Sequence, residues 1–213
     1  MKIAILLYPN FTALDAIGPY EILAHIPGNE VMFVAKDKGL ITADSGVLTI
    51  EAKHSMDDVQ TCDMLLIPGG EGEFSARKET KTIEWIKQMH ETSRFTTSVC
   101  TGSMLLAKAG ILNGLNATSH WAAEKWLPEY GATYQADRWV EEGKIITAAG
   151  VSAGIDMALH IAAKVYGEDV AKMVQLMTEY DPQPPFDSGS VAKADPRAVA
   201  MLSKRFEDAR ATA

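Results

Sequence analysis

The chain is poor in cysteine, in positive charge and in long apolar runs, and each shortage removes a class of protein. Two cysteines in 213 residues build no disulfide framework, so a reducing compartment, the cytoplasm, is the expected setting. They stand at Cys62 and Cys100, too far apart for a Cys-x-x-Cys redox or zinc pair. Lys and Arg number 20 against 28 Asp and Glu, a net charge of −8. That balance disfavours nucleic acid or an anionic membrane surface as partner. No apolar run approaches the roughly 20 residues that span a bilayer. The opening "MKIAILLYPN" lacks a small-residue cleavage site and reads as a first strand rather than a signal peptide. There is no internal repeat, and the glycine-rich "PGGEGEF" lacks the dinucleotide spacing. Its Glu71 and Glu73 would repel a pyrophosphate.

What is present is an alternation of strand-like and helical runs along 213 residues, a length that suits a single domain over 1–213. Continuous apolar strands are expected at 2–8, 31–35, 64–67 and 95–99, with a hairpin near 47–50 and another, 137–150, turning at Glu142-Gly143. Helices are expected over about 15–25, 81–92, the segment after Cys100, 121–126, 152–166 capped by Gly167, 172–178 and 195–210. Strands apolar on both faces, alternating with helices, imply an α/β protein with a mostly parallel sheet covered on both sides. "EYDPQPPFDSGS" is too rich in proline for a regular element; it shapes the pocket, packs on a partner or is a rigid surface loop.

Ligands of such sheets lie at the carboxyl ends of the strands. Asp15, Gly69-Gly70 and Cys100 all follow predicted strands, so one rim gathers them. In "TTSVCTGSMLLAKAGIL" the strand passes to a helix through Cys100-Thr101-Gly102 with no room for a loop. A turn that tight presents the thiol at a helix N-terminus, where unpaired N–H groups favour the thiolate. A buried structural cysteine is the alternative; the geometry of the turn favours the nucleophile. A phosphatase-like loop would need an arginine shortly after the cysteine, where Met104, Leu105 and Leu106 stand.

Around the cysteine, Asp15 is a helix N-cap, an acid–base group or both. Gly70 offers a backbone N–H close to a substrate atom. Thr101 adds a hydroxyl and an N–H beside the thiol. Glu21 faces solvent or leans to the rim. His120, in "ATSHWAAEKW", is read first as a structural histidine and second as a base for the cysteine. Cys62, beside Asp63, reads as packing.

Together "LDAIGPYE", "IPGG", "SVCTGSMLLAKAGILNG…ATSHW" and "YDPQPPFDSGS", in that order, resemble the ThiJ/PfpI superfamily over nearly the whole chain, and within it the isonitrile hydratase branch. The resemblance implies a three-layer α/β/α sandwich of the class I glutamine amidotransferase-like (flavodoxin-like) type, usually a homodimer, with no metal or organic cofactor. It implies hydration of a small-molecule isonitrile to an N-substituted formamide, with Cys100, Thr101 and Asp15 mattering for activity. Glutaminase activity is not expected, because Ser98 stands where those enzymes have glycine and no late His-x-Glu pair is found. The helix-turn-helix module that many relatives append is not expected here, with few residues after Ser190. A cysteine-based stress or redox sensor and a non-enzymatic ligand-binding domain remain the alternatives.

Overall fold

The architecture is built around three short strands that are buried at every position but Lys2. In the computed structural model, which describes residues 1–212, β1 (Lys2–Leu6) buries Ile3 to Leu6 completely. β6 (Met64–Ile67) is buried at every position, as is β7 (Phe95–Val99). Burial on both faces requires helices on both sides of the sheet, and the strands lie at its centre. The seven-stranded order is β10-β11-β7-β6-β1-β2-β5, with β2 spanning Glu30–Ala35, β5 His54–Ser55, β10 Trp139–Glu142 and β11 Ile145–Ala148. All neighbours are parallel except β10 and β11, which form the expected hairpin around Gly143.

Two helical layers cover it. Helix α5 (Ala153–Tyr166) packs on both α1 (Ala13–Ala24) and α6 (Glu168–Met177), and α2 (Glu73–Ala76) and α3 (Thr80–Thr92) both pack on α4 (Gly102–Lys108). The expected α/β/α sandwich with a mostly parallel sheet is therefore the observed fold.

Several boundaries differ from expectation. The first helix begins before Asp15, with Thr12 at its N-cap position in extended conformation. Asp15 is thus not the cap but an inward-facing residue of the first turn. The hairpin expected near 47–50 pairs β4 (Thr49–Ala52) with an unforeseen β3 (Gly39–Thr42), outside the main sheet. The segment after His120 is a 3-10 helix reaching from Trp121 to Tyr130, and it is preceded by β8 (Asn116–Ala117) and followed by β9 (Thr133–Tyr134), a small parallel pair. Gly167, at φ 92, ends α5 and starts α6 at once. The proline-rich stretch is irregular and exposed, and it leads to α7 (Pro196–Thr212).

Candidate active site

Strands β7, β6 and β1 are adjacent and parallel, so their carboxyl ends deliver three loops to one place. Cys100 follows β7 directly at φ 57, a left-handed conformation that costs a residue with a Cβ of order 1–3 kcal/mol. Its own backbone holds it there. The Cys100 N–H donates to Ala148 O and Ala149 O at 3.1 and 2.9 Å. Its carbonyl accepts from Ser103 Oγ at 3.2 Å and Ser119 Oγ at 3.1 Å.

The loop after β6 approaches this turn very closely. A Cβ on Gly69 would stand 2.5 Å from both the N and the Oγ1 of Thr101, so only glycine fits. The Gly69 N–H donates to Asp15 Oδ2 at 2.8 Å, and Thr12 N–H donates to Gly69 O at 2.9 Å. Gly70, at φ 125, donates its N–H to Thr101 Oγ1 at 3.1 Å. That amide, expected to face a substrate atom, is instead committed to orienting the threonine hydroxyl.

The thiol departs from expectation in one respect. Cys100 is 5% exposed, not presented at the surface, and it lines the floor of a cavity of about 320 Å³. Burial, and next the charge of Asp15, push its pKa up; N–H groups of Thr101 and Val151 and the Thr101 side chain oppose that rise. Asp15 is itself fully buried. Desolvation raises its pKa to about 7, against the lowering effects of the Gly69 N–H and the Cys100 thiol. Its Oδ1 has no conventional hydrogen-bond partner, and the thiol is close enough to interact with the carboxyl. Ionisation of either group therefore bears on the other, and two N–H groups and the Thr101 side chain favour negative charge on Sγ.

The remaining expected residues divide. His120 lines the same cavity, but its Nδ1 accepts from Ala122 N–H at 3.2 Å. That bond assigns the ring proton to Nε2, and burial lowers the pKa to about 4, so the ring is neutral. Glu21 faces solvent and pairs with His25 Nε2 at 2.9 Å. Cys62 is buried away from the cavity, its pKa raised to about 12 by burial and Asp63. The proline-rich segment 181–186 contributes nothing to the lining.

Four features went unread in the sequence. Tyr8 donates its hydroxyl to Pro68 O at 2.6 Å, tying β1 to the Gly69 loop. Glu73, expected only as loop charge, is fully buried, with Arg77 Nε 3.0 Å from one oxygen; desolvation still raises its pKa to about 7. Asp44 accepts from Thr12 Oγ1 at 2.6 Å beside the cavity. Helix α7 lays Leu202, Arg205, Phe206 and Ala209 over the cavity's outer side. Among these, only the helix itself was expected, over about 195–210. Among the described residues no cluster of three or more His, Cys, Asp or Glu is arranged to hold a metal, and no helix is long and apolar enough to cross a membrane.

The sequence and the fold that carry this site have known relatives. The DJ-1/PfpI family model matches residues 1–164. An isonitrile hydratase of Pseudomonas putida is 40% identical over 205 residues, covering 96% of this chain and 90% of that protein. The deglycase PfpI of Pyrococcus furiosus is 30% identical over 155 residues, 72% of this chain and 89% of its own. The crystal structure of a ThiJ/PfpI family protein from Pseudomonas syringae superposes with a TM-score of 0.94 at 33% identity, over 99% of this chain and 89% of that one. The chain belongs to the DJ-1/PfpI family.

Proposed function

We propose that the chain is an isonitrile hydratase, converting R–N≡C and water to R–NH–CHO with Cys100 as nucleophile. The observation that carries this reading is the buried Cys100 thiol beside the buried Asp15 carboxyl at a cavity lined largely by apolar side chains, in a chain 40% identical to an isonitrile hydratase across nearly its full length. An isonitrile carbon accepts both a nucleophile and a proton. A buried thiolate paired with a carboxylic acid supplies both without a cofactor.

The reaction balances as follows. Sγ of Cys100 bonds to the terminal carbon while Asp15 gives that carbon its proton, producing a thioimidate, R–N=CH–S–Cys100, and an Asp15 carboxylate. Water then adds its oxygen to the carbon, and its proton passes through Asp15 to nitrogen. The tetrahedral adduct R–NH–CH(OH)–S–Cys100 returns its hydroxyl proton to Asp15 as the C–S bond breaks. Formamide, thiolate and protonated Asp15 result, and one water has been consumed. Thr101, its hydroxyl fixed by the Gly70 N–H, steadies the sulfur's charge and orients the water. The pair's burial disfavours the stress- or redox-sensor alternative, which calls for an exposed, low-pKa thiol.

Incubation with cyclohexyl isocyanide, followed by detection of N-cyclohexylformamide, tests the reading. Wild type should form it, and Cys100→Ala and Asp15→Ala should each lower turnover by orders of magnitude. No product from folded protein with several isonitriles would defeat the substrate; a variant within a few-fold of wild type would defeat that residue's role. The same proposal includes a homodimer, supported by Met173, Leu176 and Met177 exposed together along α6.

A further inference from the structure

The walls of the cavity come from two parts of the chain. Gly70, Phe74, Cys100, Thr101, Trp121 and Trp126 lie within the family match to residues 1–164. Leu202, Phe206 and Ala209 belong to α7, wholly beyond it. The Pyrococcus furiosus deglycase aligns over 155 residues, about the size of the family domain, whereas the Pseudomonas putida isonitrile hydratase aligns over 96% of this chain and so reaches the α7 region. The part of the wall that lies beyond the family match is the part made by α7.

That helix is held over the site by contacts at its own level. The Phe206 ring lies 4.8 Å from the His120 ring and 6.3 Å from Trp121, centre to centre. Arg210 pairs with Glu129 at 3.0 and 2.6 Å and covers the Trp126 ring at 4.8 Å. Lys125 pairs with Glu207. On the exposed side Arg205 reaches Glu71 at 3.5 Å.

An isonitrile is linear at nitrogen, so a substrate whose carbon touches Cys100 Sγ carries its substituent in line with the C–N bond and away from the reacting carbon, in the body of the cavity. The functional group itself is small and uncharged, so most of the binding energy must come from burying that substituent. We propose that α7 is the specificity-determining element of the enzyme: Phe206, with Leu202 beside it, forms the apolar wall that receives the substituent, and so selects isonitriles bearing bulky apolar groups over methyl isocyanide. This rests on the isonitrile hydratase reading.

The test is the ratio of kcat/KM for cyclohexyl over methyl isocyanide in wild type and Phe206→Ala. Loss of an apolar wall should lower that ratio about tenfold or more; a ratio within threefold of wild type would overturn the proposal. Should Phe206→Ala not fold, Leu202→Ala decides in the same way. A second readout separates this proposal from the reading beneath it. If wild type hydrates no isonitrile, the functional reading fails, and the wall is judged by the rates at which N-cyclohexylmaleimide and N-methylmaleimide alkylate Cys100, followed by mass spectrometry of its peptide. A tenfold fall of that ratio in Phe206→Ala upholds the apolar wall; an unchanged ratio rejects it.

Discussion

Cys100 and Asp15 are each unfavourable alone: a thiolate and a carboxylate side by side, both out of water, would repel each other strongly. The proposed mechanism avoids that conflict by taking as its reactive state the pair carrying one proton. Asp15, with its pKa raised to about 7, loses the first proton near neutrality, and the raised Cys100 pKa keeps the second well above that. The kcat/KM of wild type should therefore rise with pH through an apparent pKa near 7 and level off in mildly alkaline buffer. Residual turnover of Asp15→Asn should lack that rise; a profile of the variant parallel to wild type would contradict the assignment. The sequence already carried both residues on one rim, because a strand-to-helix turn and a post-strand loop are local signals. It could not carry the burial of the thiol or the spending of the Gly70 amide on Thr101, since both depend on how closely two loops from distant segments approach.

Among the elements, the short helix α2 holds the other buried carboxyl. Glu73 gains Arg77 as a neighbour, yet burial outweighs that gain and raises its pKa to about 7. A carboxyl whose folded pKa is raised contributes most to stability below its unfolded pKa, and the contribution is lost as pH climbs through the folded value. From a reference of 4.5 to about 7, the change is roughly 3 kcal/mol across pH 4.5 to 7 at 1.36 kcal/mol per unit. The melting temperature of Glu73→Gln relative to wild type should therefore increase from pH 5 to pH 8; a constant difference across that range would show that Glu73 stays ionised when folded. The core strands β1, β6 and β7 were legible as uninterrupted apolar or β-prone runs. Strand β3 was not, because its pattern is half-exposed and it pairs outside the main sheet.

For the whole molecule, the sandwich follows from strands apolar on both faces, and seven strands in one sheet leave the cavity at the carboxyl edge of the central three. Helix α7 was visible as an amphipathic segment, but what its apolar face covers is a long-range fact that spacing does not encode. Helix α6 turns Met173, Leu176 and Met177 to solvent, the kind of patch a partner subunit covers. Sedimentation of wild type should give a dimer, and Met173→Glu with Leu176→Glu should shift it towards monomer; an unchanged dimer would place the interface elsewhere.

The central claim is that Sγ of Cys100 bonds to the isonitrile carbon. Rapid quenching of the protein during turnover of cyclohexyl isocyanide, followed by intact-mass and peptide mass spectrometry, observes that bond. The account predicts a transient gain equal to the whole isonitrile, confined to the Cys100 peptide and absent in Cys100→Ala. Formamide produced by wild type with no such species at any quench time, and undiminished in Cys100→Ala, would contradict it.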